Sequence, residues 1–216
     1  SIKTGIAATI VSFFLGIWAA RKVLKAKTGL RAVLDGILTL PLVLPPTVAG
    51  FFLLLIFSTR RTVGSYLYTT FDIKIVQSWA GCVIAATVIA FPLMYRNARA
   101  AFEQVDVNLI YAGQTLGMSD CKIFWKVIVP AAGPGIASGT VLAFARAIGE
   151  YGATSMLAGN ILGKTRTVSV AIAAETSAGN YDVAGFWVVV IVVISFAIVA
   201  LINIVSGRGM KSRRWI

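Results

Sequence analysis

Val183-Ala-Gly-Phe-Trp-Val-Val-Val-Ile-Val-Val-Ile-Ser-Phe-Ala-Ile-Val-Ala-Leu-Ile-Asn-Ile-Val205 carries no charged side chain, and Arg208, Lys211, Arg213 and Arg214 follow it closely. An uncharged apolar run of roughly twenty residues is long enough to cross the ~30 Å hydrocarbon core of a bilayer as one helix. Working back along the chain, similar runs recur. The first is Ile6 to Leu24, with Arg21, Lys22, Lys25, Lys27 and Arg31 at its end. The second covers Val33 to Phe57 and is interrupted by Pro41, Pro45 and Pro46; a polar stretch, Ser58 to Gln77, follows it. The third is Trp79 to Tyr95, with Pro92 near its end, and the fourth is Ile136 to Leu157. Val168 to Ala174 is apolar but too short to cross, so a packed partial helix is expected there. The expected fold class is an all-α integral membrane protein with about five transmembrane helices, residues 1–216 forming a single membrane domain.

Composition points the same way. The 216 residues are 58% hydrophobic and 13% charged, with a mean hydropathy of +0.85. A soluble domain of this size needs a more polar surface. The formal net charge of +12 would suit nucleic acid, but the basic residues stand beside apolar segments and form no stripe interleaved with aromatics. Their placement follows the positive-inside rule, which makes the lipid bilayer the partner and excludes nucleic acid. Thirteen Lys/Arg fall on the side of Arg21, Arg96, Lys122 and Arg208, against six on the other: Lys3, Arg60, Arg61, Lys74, Lys164 and Arg166. Five crossings then put the N-terminus outside and the C-terminus in the cytoplasm. No cleavable signal peptide is expected, because the first apolar run is long and ends in a basic cluster.

His is absent, Cys82 lies in a span and Cys121 in a loop, so neither a disulfide framework nor an ordinary metal site is expected. There is no paired-carboxylate or Ser/His constellation and no P-loop, so no catalytic residues are expected and the chain is not read as an enzyme. An ion-coupled secondary carrier would need intramembrane acids, of which Glu150 is the clear one, and two related halves, which are not visible. Without such halves, a pore forms most simply between two copies of the chain.

The segment from Arg96 to Gly135 is more than a tether. In Asp106-Val-Asn-Leu-Ile-Tyr-Ala-Gly-Gln-Thr-Leu-Gly117, apolar residues recur at Leu109, Ala112 and Leu116 after Val105, near helical spacing. Asp106 suits the start of a short helix and Gly117 a left-handed stop. A second short helix is expected to begin at Ser119, carry Ile123, Phe124 and Val127, and end before Pro130. The pattern alone fits either an ordinary interfacial helix pair or a docking module for a partner.

Tyr111-Ala-Gly-Gln-Thr-Leu-Gly117, then nine residues, then Val127-Ile-Val-Pro130, resembles the EAA motif of prokaryotic ABC-importer permeases of the binding-protein-dependent, MetI-like class. Ala112, Gly117 and Pro130 match in identity and spacing, while Tyr111 stands in place of the Glu and Gly113 in place of the second Ala. Thr115, Leu116 and Ser119 complete the loop. Pro41-Leu-Val-Leu-Pro-Pro46, Phe91-Pro-Leu-Met94, Gly139 to Ala153 and Thr165-Arg-Thr167 are similar to the molybdate-importer (ModB-type) permease family, a pattern that sulfate permeases largely share. The resemblance implies a homodimer in a prokaryotic plasma membrane, bound to two cytoplasmic ABC ATPase subunits. An extracytoplasmic oxyanion-binding protein would deliver molybdate or tungstate. No cofactor is expected on this chain, ATP and magnesium belonging to the ATPase.

Two further groups are candidates for the path or gate. Arg146 and Glu150 stand at i, i+4 in the fourth span, on one helical face. Each costs roughly 2.5–3.5 kcal/mol at mid-bilayer, so both should face protein or water. A structural ion pair and an Arg146 that lends positive potential to an anion path both remain open. In the second span, Pro45 and Pro46 remove backbone donors, freeing amides such as those of Thr47 and Val48. Those amides either meet an oxyanion briefly or merely accompany a kink that shapes the gate. Gly149, Gly152 and Gly159 are expected to allow close packing.

Overall fold

The computed structural model describes residues 1–210, so Lys211, Arg213 and Arg214 of the C-terminal basic cluster lie outside the described residues. All regular structure among the described residues is helical. The first half holds α1 (Ile2–Leu24), α2 (Thr28–Val43), α3 (Pro46–Phe57), α4 (Thr62–Phe71) and α5 (Trp79–Glu103). The connecting loop holds α6 (Val107–Thr115), α7 (Asp120–Ile123), a π-helical turn at Phe124–Ile128 and the single turn α8 (Val129–Ala131). Then come α9 (Gly133–Ile148), α10 (Gly152–Leu157), α11 (Val168–Ser177) and α12 (Tyr181–Met210). Three helices, α1, α5 and α12, are long and apolar enough to cross a membrane, and up to five spans result if each of two bent helix pairs counts as one.

Small residues set the packing. α1, α5 and α9 meet through Ala8, Ala19, Ala20, Ala86, Ala90, Ala98, Ala143 and Ala147, all buried. With lipid outside, helices gain little from burying bulky apolar groups, and close backbone approach takes over as the packing force. At Gly139 a Cβ would stand 2.7 Å from the Asn97 Cβ, so only glycine lets α9 lie this close to α5. A second cluster, containing Ala49, Leu53, Ile89, Ala153 and Leu157, joins α3 and α10 to the first half of α5. α12 packs on α9 and α11, and its Phe186, Val189, Val193 and Phe196 are exposed.

The second span breaks where its prolines predict, with a physical reason for the position. The carbonyls of Pro41 and Leu42 would need N–H donors from residues 45 and 46, and both are proline. α2 therefore stops at Val43, and α3 leaves at 108° to it. Pro41 itself stays inside α2, losing one bond without ending the helix.

Several expectations are corrected. α5 continues past Tyr95 to Glu103, because Arg96-Asn-Ala-Arg-Ala-Ala-Phe-Glu103 is polar yet rich in helix formers and keeps Ala98 and Phe102 buried. The loop therefore runs from Gln104 to Ala132, shorter than the expected 96–135. The polar stretch after the second span holds a helix, α4, closed by Asp72 at φ 53. The fourth span is not continuous: α9 ends at Ile148 and α10 begins at Gly152, leaving Gly149, Glu150 and Tyr151 between them. The partial helix forms as expected, as α11, with the Thr167 side chain accepting from the Val170 N–H.

Candidate functional site

The loop between α5 and α9 is an ordered unit. The Asp106 carboxylate accepts from the Asn108 N–H at 2.9 Å and starts α6. At the other end Gly117 has φ +70, its N–H donates to the Gln114 carbonyl at 2.9 Å, and the Met118 N–H donates to the Gly113 carbonyl at 3.1 Å. These two bonds form a Schellman stop, the arrangement for which a glycine in the left-handed region is preferred. Gly113 is buried, and a Cβ there would stand 3.1 Å from Ile123 Cγ1, so the alanine of the motif would require Ile123 to shift by a few tenths of an ångström. Tyr111, Ala112, Thr115 and Leu116 lie on α6 or its cap; Tyr111 is 57% and Leu116 79% exposed, and the Thr115 hydroxyl donates to the Tyr111 carbonyl. Ser119 precedes α7 but makes no side-chain cap bond.

The loop is fixed to the spans on one side only. Ile123 and Phe124 are buried, the Phe124 ring packs edge-on against Phe102 at 5.3 Å, and the Arg21 guanidinium lies 4.3 Å above it. Lys25 pairs with Asp120 at 3.2 Å, at the exposed surface. On the other side a cleft of about 550 Å³, lined by Asn97, Gln104, Asp106, Leu109, Pro134 and Ser138, separates the start of α6 from α5 and α9. Leu109 and Val107 are half exposed beside it. The chain keeps winding through Pro130 rather than ending before it. The π-helical turn at Phe124–Ile128 widens the backbone just ahead of the proline, where the ring would otherwise meet the preceding turn.

The gate candidates are brought together at the two helix breaks. Gly152, at the start of α10, sits against α3: a Cβ on it would lie 2.9 Å from the Pro46 Cβ and 3.2 Å from the Thr47 nitrogen. The Val48 N–H donates to the Pro45 carbonyl at 2.9 Å, so of the two amides expected to be free only that of Thr47 makes no backbone bond among the described residues. Arg146 Nη1 stands 2.7 Å from Glu150 Oε2, off the line of a directed hydrogen bond; the Glu150 side chain is 1% exposed and that of Arg146 31%. Glu150 Oε1 accepts from the Ala153 N–H at 2.8 Å. The carboxylate thus serves the first turn of α10 and Arg146 together, from outside the helix on which both were expected. Gly149 meets only an ordinary contact and Gly159 is a turn residue at φ +69, so of the three glycines Gly152 alone is needed for close approach.

A polar network that sequence reasoning missed ties α2 to α5. The buried Tyr95 hydroxyl donates to Asp35 Oδ1 at 2.7 Å, Asp35 pairs with Arg99, Arg99 Nε lies 3.1 Å from Glu103 Oε1, and Glu103 pairs with Arg31. The spacing Arg31–Asp35 and Tyr95–Arg99–Glu103, each i, i+4, was the available signal, but Arg31 and Arg99 counted only as membrane-flanking charges. The broken span is therefore held to α5 by charge on the same side of the molecule as the loop.

Long apolar helices, two helix breaks and an ordered two-helix loop at one end describe a membrane-spanning chain with a structured connecting segment. The chain belongs to the family of binding-protein-dependent transport system inner membrane components, whose pattern matches residues 12–206. It is 44% identical over 172 residues to the molybdenum transport system permease protein ModB of Escherichia coli (strain K12), covering 80% of this chain and 75% of that protein. The sulfate transport system permease protein CysT of Salmonella typhimurium (strain LT2) is 32% identical over 208 residues, covering 95% of this chain and 75% of that one. A chain from an inward-facing structure of the MetNI methionine ABC transporter superposes with a TM-score of 0.72 over 96% of this chain and 93% of its own, at 16% identity, and so shares the fold.

Proposed function

We propose that the chain is the permease subunit of an ATP-driven importer of molybdate, acting as one membrane domain in a homodimer. Two ATPase subunits, which hold the ATP and magnesium, dock on the exposed face of α6 and Gly117, and an extracytoplasmic binding protein delivers the anion. The observation that carries this reading is the 44% identity to ModB over 80% of the chain, loop included. The broken span supports a second copy. Its unpaired carbonyls cannot face hydrocarbon, yet Val43 beside them is 80% exposed, so another protein surface or a water path must cover that side. The test is uptake into vesicles that hold the permease and ATPase, supplied with ATP and the binding protein. Molybdate uptake should be suppressed by excess tungstate and little affected by excess sulfate. Uptake of sulfate in preference would select the reading that the similarity to CysT favours instead.

In this reading the loop faces the cytoplasm, the N-terminus lies outside, and the two cysteines report the orientation. Cys121 is exposed, whereas Cys82 is 1% exposed with its thiol directed at the Thr165 carbonyl. A membrane-impermeant maleimide should label Cys121 only after cells are opened and should leave Cys82 unlabelled throughout. Labelling of Cys121 in intact cells would reverse the orientation.

A further inference from the structure

On one exposed face of α1, Phe14, Leu15 and Trp18 line an apolar groove of about 490 Å³, bounded at one end by Arg21, Phe124 and Trp125. Trp18 is 61% exposed and Trp125 52%. Phe14, Trp18 and Lys22 succeed one another at i, i+4, so a single stripe of the helix passes from apolar to aromatic to cationic. Lys22, Lys122 and Lys126 are exposed, and among the described residues none of them, nor Arg21, has an ion-pair partner. The nearby carboxylate of Asp120 is taken by Lys25. Arg21, held over the Phe124 ring, keeps an ordered positive charge at the mouth of the groove that the ring does not neutralise.

We propose that this groove binds an anionic phospholipid of the leaflet on the loop side, which under the function proposed above is the cytoplasmic one. One acyl chain lies along Phe14, Leu15 and Trp18, and the phosphate meets Arg21, Lys22 and Lys126. The two indoles sit at the boundary between hydrocarbon and headgroups, where tryptophan is favoured. The positive charge at the mouth selects a net negative headgroup over a zwitterionic one, whose own ammonium it repels. A second copy is a poor occupant, because a symmetric contact would set the same cations against each other.

The test uses the full chain in vesicles with Trp125 as its one tryptophan, the others changed to phenylalanine, and reads quenching by dibrominated phosphatidylglycerol or dibrominated phosphatidylcholine. The dibrominated phosphatidylglycerol should reach half-quenching at several-fold lower mole fraction. Lys22→Gln and Lys126→Gln, both at exposed positions, should each reduce that preference, and together they should abolish it. A parallel version retaining only Trp187, on α12, should show no such preference. Equal quenching by the two lipids at Trp125, a preference that survives the double lysine variant, or an equally large preference at Trp187 would each overturn the proposal. So would efficient cross-linking between copies through Trp18→Cys, which would make the groove a subunit contact. The lipid measurement does not involve transport, so its failure leaves the importer reading standing, and the failure of uptake leaves the groove standing.

Discussion

Arg146→Ala should sharply lower the yield of folded protein, and adding Glu150→Gln should restore much of it. The side chain of Glu150 is almost wholly buried, and its Oε2 atom has Arg146 as its charged neighbour at 2.7 Å. Removing one member of a buried pair leaves an uncompensated charge and destabilises by about 3–5 kcal/mol; with the Arg146 side chain one-third exposed, the lower end of that range applies. Glutamine at 150 carries no charge and keeps an oxygen to accept from the Ala153 N–H. Thermal unfolding in detergent and the yield of assembled protein measure both effects. A single variant that stays folded, supports ATP hydrolysis by the ATPase and moves no anion would place Arg146 in the path instead.

Gly117→Val should abolish transport while leaving insertion in the membrane intact. At φ +70 a β-branched residue is strained by on the order of 1 kcal/mol or more, and relief of that strain would break both bonds of the stop and redirect α7. No Cβ clash contributes, since nothing lies within 4 Å, so the effect comes from the backbone and stays local to the loop. Ile123 and Phe124 would remain free to anchor the far end. Co-purification of the ATPase should fall at least tenfold, or hydrolysis should persist without anion uptake. Normal docking and normal uptake together would reduce the loop to an interfacial connection.

The parts of the fold that were legible in the sequence are those decided locally. Hydropathy marked α1, α12 and the membrane part of α5; the two adjacent prolines marked the break before α3; and Asp106 and Gly117 marked the ends of α6. Apolarity was less informative about helix length. α5 outruns its apolar segment by the whole of Arg96–Glu103, and residues 136–157, apolar but for Arg146 and Glu150, contain a break that hydropathy does not mark. That break is made by Glu150 bonding forward to Ala153, a choice visible only once α3 is seen packed against α10. The loop between α5 and α9 was legible because its turn chemistry is short-range. The Asp35–Arg99 pair was not, because its partners come from different helices and no pattern within either one names the other.

α3 and α10 are pressed together so closely that a Cβ on Gly50 would stand 2.7 Å from the Ala153 Cα. Each is joined to the preceding long helix by a short non-helical link, and the two links differ in stiffness. Pro45, at φ −52, has a ring that holds this torsion near its one permitted value. Gly149, at φ −81, ψ 4, carries no Cβ to restrict it. The α3–α10 pair is therefore a body hung from one rigid pivot and one compliant one. A tilt of the pair would have to slide over its packing on α5, and its backbone bend would fall at Gly149 more readily than at Pro45, so the chemistry of two residues biases where the frame can give.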